Sequence, residues 1–433
     1  VTSCTHGERR ATIGAMSVAL SRVVALAALS WMGQSVPLQG QVQGGLSTSH
    51  RERDLLSPVV GVGAEGVPEY CYKCWDPCPC PDLLPTCCGT TARVEALVTE
   101  GWTNTTTAGV EDYDGNPILT ATDDLAEWLL GDPAVVVIGD TIHLWGNEVF
   151  HGIIHYTAPL DDPFAFTKLE TSVHMPGSVR AFAVHDEAKG SIVLYYEQYE
   201  LRTLEQSSKL VWIESAVPSD GSEWSWSRPT VALEPELDWE MVGTSRVGNV
   251  FVYQDSSGGD APWHLYYSAS SVHLPDSNVD EPIYQGSASS RSLRGPWTRD
   301  SDKPLPVAKG SLPDTMEILG VGSIKLVPPQ LVDQLGFEAM CNRVFLDTTT
   351  NTTGSTIATL RTASDGGGWD VVDPWEIPPE ADVEGSWKRA YVYGFTTLED
   401  PTTEDPSELW VYYNARDGWE HAREAIGVSR IRF

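Results

Sequence analysis

Ser191-Ile192-Val193-Leu194-Tyr195-Tyr196-Glu197 is an unbroken run of aliphatic, β-branched and aromatic residues, and its centre recurs. Leu-Tyr-Tyr returns at Leu265–Tyr267, and Val-Tyr-Tyr stands at Val411–Tyr413. Around each copy lie other short runs, separated by Gly, Asp, Pro and Ser clusters. No long helical periodicity interrupts them, which is an all-β pattern. The runs form one unit: an apolar strand with small residues, the Tyr-Tyr strand or its counterpart, a strand ending in small residues, and a Trp or Phe strand. Copies open at Ala134, Val179, Arg246, Gly322 and Lys388. A four-stranded unit repeated in this way predicts a five-bladed β-propeller around a central channel, over residues 91–433. The fifth copy stops at Phe433 without an outer strand. A strand from the N-terminal side, over Ala92–Val98, is expected to complete it and close the ring, removing open sheet edges. A two-sheet sandwich would not account for the Tyr-Tyr repeat.

The totals agree with a large extracellular domain. Of 433 residues, 41% are apolar, enough for a sizeable core. The formal charge of −32, from 60 acidic and 28 basic residues, repels phosphate backbones and argues against nucleic-acid partners. The 16 Trp and 15 Tyr against 9 Phe suit β-strands and also flat sugar-binding surfaces.

Residues 1–33 are read as a start region and signal peptide. Arg22 supplies the positive charge, and Val23–Met32 is an apolar run too short to span a bilayer comfortably. No later segment is apolar enough to cross a membrane, so the mature chain is expected to be secreted. Residues 34–90 comprise a linker and a Cys-rich segment. Six of the eight cysteines cluster there: Cys71, Cys74, Cys78, Cys80, Cys87 and Cys88. In an oxidising compartment they predict a small disulfide knot; a zinc site is disfavoured because no His is near and no second Cys-x-x-Cys follows. Cys341 stands alone and reads as a buried thiol.

Inner strands line a propeller channel, so polar residues that open them converge. Blade one offers Asp132, blade two Arg180, and blade three Arg246 and Asn249. Glu317 precedes blade four, and Lys388 with Arg389 opens blade five. Gly-Asp-Pro-Ala-Val-Val-Val at 131–137 resembles the five-bladed glycoside hydrolases of family 43 and its relatives in families 32, 68 and 117. The stretch Ser-Ala-Ser-Ser-Arg-Ser-Leu-Arg-Gly-Pro-Trp at 287–297 is similar to their third-blade ending, as is Ala-Ile-Gly-Val-Ser at 425–429.

That resemblance implies a secreted hydrolase of a polysaccharide or oligosaccharide, working with two carboxyl groups of different protonation state. It places the base or nucleophile at Asp132 and the general acid at a blade-four Glu, here Glu317. It places an orienting acid on blade three, where this chain has Asn249, which hydrogen-bonds but carries no charge. Arg180, Arg246 and Arg389 together suggest a carboxylated or sulfated sugar held through guanidinium groups. No cofactor is required. A structural calcium at the channel floor would suit the fold, although no loop motif encodes it. His151 and His155 lack a third metal ligand, so no metal site is assigned. The competing reading is a non-catalytic glycan-binding or adhesive surface propeller, which Asn249 favours.

Overall fold

The computed structural model describes residues 101–433, apart from 106, 108, 121–128, 149–150, 170–172, 174, 176, 201–206, 220–222, 255–260, 278, 404–406 and 420–421. The signal segment, linker and clustered cysteines lie outside the described residues, as does Ala92–Val98.

Five blades are present. Blade one comprises Leu130–Ile138, Thr141–Glu148, Gly152–Pro159 and Thr167–Lys168. Blade two comprises Ser178–Asp186, Ser191–Tyr199, Ser208–Ala216 and Thr230–Leu233. Blade three comprises Val247–Gln254, Trp263–Ala269, Tyr284–Ser290 and Thr298–Arg299, and blade four Met316–Leu326, Ala339–Asp347, Thr352–Thr362 and Trp369–Ile377. Within every blade, consecutive strands pair antiparallel. The five first strands form a closed cycle: blade one's lies beside those of blades two and five, and each of the others lies beside its two neighbours. They are the inner strands of a ring.

The ring closes where the sequence requires it, but with another strand than the one anticipated. Blade five contributes Tyr391–Glu399, Glu408–Arg416 and Glu424–Arg432. Val110–Tyr113 adds to its outer edge, pairing Val110 with Ile431, and Trp102–Asn104 follows beyond. Val110 is fully buried in the core between blades four and five. A chain beginning at Asp114 is therefore expected to expose the Glu424–Arg432 edge and self-associate. Light scattering and a thermal melt check this: the shortened chain should melt lower and scatter more than the full one.

Alternation along a strand explains the Tyr-Tyr repeat. Successive side chains point to opposite faces, and every second strand is covered on both faces by neighbouring blades. Tyr195 packs with Leu265 and Trp297 towards blade three, whereas Tyr196 packs with Trp145 and Ile153 towards blade one. Tyr266 and Tyr267 divide in the same way between blades four and two. Tyr412 and Tyr413 divide between blades one and four. Each pair fills two inter-blade gaps, so both positions must be large and apolar.

Blade two's outer strand is Thr230–Leu233, so the Trp-containing stretch before it, Trp224 and Trp226, is not the expected Trp strand. The two tryptophans serve packing instead. Trp224 stacks on Trp226 and meets Trp145 and His155 edge-on. His155 lies flat on Trp145 and shares a 2.9 Å hydrogen bond with His143. Burial, together with the neighbouring imidazole, lowers His155 to about 2, so this cluster is a neutral core. Cys341 is buried and free, and burial pushes its thiol up to about 12. Among the described residues no helix is long and apolar enough to cross a membrane.

Candidate functional site

Every inner strand carries a bulge at the same depth. Register slips between Gly131 and Ala134, Val179 and Phe182, Gly248 and Phe251, Gly322 and Ile324, and Val392 and Phe395. A bulge inserts a residue with no partner and re-aims its side chain. In four blades that residue takes a left-handed backbone: Asp132 (φ 50°), Arg180 (55°), Asn249 (47°) and Ser323 (37°). Such a conformation costs roughly 1–2 kcal/mol in a residue other than glycine. Its fourfold recurrence makes it a device of the architecture, and the positive φ of Asp132 is not by itself a sign of catalysis.

Neighbouring blades hold these bulges. Asn414, on blade five's second strand, accepts a hydrogen bond from the Asp132 backbone N–H at 3.2 Å. Asn147, on blade one's second strand, accepts one from the Arg180 N–H at 3.3 Å. The bulged residues thereby meet in one cleft lined by Asp132, Arg180, Asn249, Ser323, Lys325 and Gly394. A side chain at Gly394 would collide with the Asp132 carboxylate and the Asn414 amide. The cleft is tight: about 10 Å³ is open to the centre of a water molecule, which is about the space of one water.

Electrostatics single out three carboxyl groups. Burial raises Asp132, with Arg180 acting against it most strongly. Glu281 ends a hairpin, Val272–Leu274 with Val279–Glu281, inserted in blade three. Burial raises it too, while Arg180 and Arg246 pull it down. Glu424 opens blade five's third strand and accepts a 2.7 Å hydrogen bond from Asn414 Nδ2. Burial raises Glu424 well above the carboxylate range, and the negative charges of Asp132 and Glu281 raise it further. One asparagine thus joins Asp132 and Glu424: its oxygen holds the backbone of one, and its nitrogen holds the carboxyl of the other. Opposite them Lys325 is buried, with its ammonium 5.3 Å from the Phe182 ring centre and 5.4 Å from that of Phe395. Burial lowers Lys325 to about 7, against the pull of Asp132.

The residues singled out in the sequence separate into groups. Asp132, Arg180 and Asn249 line the cleft together. Arg246 does not: it is buried behind the cleft, with Nε 2.8 Å and Nη2 3.2 Å from the two oxygens of Glu197. Arg180 Nη1 also reaches Glu197, at 3.2 Å. The two arginines share the single charge of Glu197: Arg246 is committed to it behind the cleft, whereas Arg180 also faces the cleft and Asp132. Arg389 stands over the Trp419 ring at 5.6 Å, away from the cleft. Lys388 is spent on Asp112 and Glu380. Glu317 is exposed, lies opposite Leu346 six positions before Ser323, and is not among the lining residues. The blade-four strand begins earlier than expected, which carries Glu317 away from the channel.

The lining does not fit a calcium ion, which takes six to eight oxygen ligands. An ammonium and a guanidinium face the same space as the one carboxylate there. Among the described residues no group of three or more His, Cys, Asp or Glu is arranged to hold a metal. His151 pairs with Glu148 at 3.2 Å.

Glu197, Glu281, Lys325, Asn414 and Glu424 were missed in the sequence. Lys325 had a signal, being a lone charge inside Gly-Val-Gly-Ser-Ile-Lys-Leu at 320–326. So had Glu197, the acid that directly follows the Tyr195-Tyr196 pair.

No family model matches the chain, and no curated protein does. Solved structures similar to it include an N-acetylgalactosamine deacetylase from F. plautii in complex with blood group B trisaccharide. That match is 14% identical with a TM-score of 0.49, covering 73% of this chain and 96% of that one. An α-L-arabinofuranosidase from Podospora anserina in complex with cellotriose is 13% identical (TM-score 0.45), covering 73% and 94%. A family 62 α-L-arabinofuranosidase from Coprinopsis cinerea is 11% identical (TM-score 0.44), covering 73% and 95%.

Proposed function

We propose that this protein is a secreted glycoside hydrolase, with Asp132 as base or nucleophile and protonated Glu424 as the general acid. One observation carries this reading. Two carboxyl groups are joined through Asn414, one of them lining the cleft, and burial raises both, but their charged surroundings act on them in opposite senses. Arg180 and Lys325 offset the charge of Asp132, whereas Glu424 gains protons from burial and from Asp132 itself. Two carboxyl groups held in different protonation states are what acid–base cleavage of a glycosidic bond needs. Glu281 adds to the field that keeps Glu424 protonated.

Hydrolysis consumes one water for each bond broken. Asp132 takes the proton from that water, or attacks the anomeric carbon directly, and Glu424 delivers its own proton to the leaving oxygen. The tight cleft admits about one water, so the sugar rings must lie outside it. A non-catalytic glycan-binding role is the second reading, favoured by Asn249 standing at the third bulge without a charge.

The test is to incubate the protein with a panel of plant and algal polysaccharides and follow anomeric proton signals by NMR. New reducing-end signals with at least one of them are expected. Saturable binding with no new anomeric signal on any of them would replace hydrolysis by the second reading.

A further inference from the structure

Arg343 and Arg416 are both buried, and in each Nε and Nη1 have no hydrogen-bond acceptor; Arg343 still donates to the Lys309 carbonyl. Arg180, Arg246, Arg294, Arg299 and Arg430 all form ion pairs. Arg416, 4% exposed, forms no ion pair within 4 Å among the described residues, although Glu281 and Asp417 act on it from farther away. Leaving a charge buried and unpaired is costly, so a group that meets it should bind well.

Arg416 is also well placed. It ends blade five's second strand, opposite Tyr391 on one side and Glu424 on the other. Its guanidinium stands 5.9 Å from the Tyr391 ring centre, which restricts its orientation. Arg389 lies close by, since the next residue, Ala390, donates its N–H to the Arg416 carbonyl at 3.0 Å. Arg389 rests over Trp419, whose indole N–H is anchored on the Thr353 carbonyl at 2.7 Å, and its Nε is also without an acceptor. Arg416, backed by Tyr391, thus stands opposite Glu424 on the neighbouring strand, and Arg389, backed by Trp419, lies just before the strand on the other side of Arg416.

We propose that this rim is an anion subsite, in which Arg416, with Arg389 beside it, binds a carboxylate or sulfate on the sugar. The proposal rests on the reading of the mouth as a carbohydrate site. Planar guanidinium donors match both groups bidentately. A protonated Glu424 adds no repulsion towards such a ligand.

The test uses the full chain carrying Asp132→Asn, to hold turnover off, and measures binding by calorimetry. The ligands are a glucuronate-bearing oligosaccharide, its carboxyl-reduced neutral counterpart, and a sulfated oligosaccharide with its desulfated counterpart. At least one acidic ligand is expected to bind about ten- to a hundredfold more tightly than its neutral counterpart. The arm that shows this preference identifies the anion. Arg416→Gln should remove this preference, bringing the acidic and neutral ligands to equal affinity. Arg416→Lys, which keeps the charge and loses the fork, should retain only part of it. Equal affinity for acidic and neutral forms would overturn the anion subsite and leave the carbohydrate reading intact. Binding of neither kind would overturn both.

Discussion

Asp132→Asn is expected to lower turnover of a saccharide substrate by about 10²–10⁴-fold and to shift the melting temperature little. The loss follows from chemistry: an amide neither takes a proton from water nor attacks an anomeric carbon. The small effect on stability follows from geometry. Asp132 occupies a left-handed bulge (φ 50°), and Asn249 already adopts the same conformation (φ 47°) at the equivalent point of blade three. The hydrogen bond from its backbone to Asn414 is untouched by the change. Initial rates and a thermal melt on the same sample separate the two effects. Full activity in the variant would remove Asp132 from the mechanism, and a large drop in melting temperature would make it a structural residue.

Glu197→Gln is expected to cost about 3–5 kcal/mol, the usual result of removing one partner of a buried ion network. Glu197 is fully buried between Arg246 and Arg180 and also accepts a 2.7 Å hydrogen bond from Ser208. Removing its charge leaves two guanidinium groups without their counter-charge at the junction of blades two and three. The same network carries a pH dependence. Burial alone would raise the Glu197 carboxyl, but Arg246 and Arg180 more than reverse this and hold it below 4.5. Its contribution is therefore complete above the ordinary glutamate value and is lost as pH falls through the lower folded value. Denaturant titrations at neutral and acid pH check both points. The wild type should lose stability on acidification, and the variant should lose less because its deficit is already present at neutral pH.

The fold was legible because its signal is physical. A strand covered by blades on both faces needs adjacent large apolar residues, and Tyr195-Tyr196, Tyr266-Tyr267 and Tyr412-Tyr413 record that need. The closing strand was not legible, because Val110–Tyr113 is only four residues long and contains two acids. At the site, Asp132 was readable from its place at the head of an inner strand. Glu424 and Glu281 were not, since one opens a third strand and the other ends an inserted hairpin, and only the ring brings them within electrostatic reach of Asp132. Glu317 misled for a related reason: distance along the chain was taken for depth in the channel, whereas the bulge sets that depth. Arg246 misled because sequence gives no hint that the acid directly following the Tyr195-Tyr196 pair engages it.

The central claim is that Glu424 donates the proton, and leaving-group dependence tests it most directly. An aryl glycoside with an acidic phenol needs no proton from the enzyme, whereas a natural glycosidic bond does. Rates for Glu424→Gln on both kinds of substrate should therefore diverge. Hydrolysis of the natural bond should fall by about 10²–10⁴-fold, while hydrolysis of the activated aryl glycoside stays near the wild-type rate. An equal loss on both substrates, or no loss on either, would contradict the account.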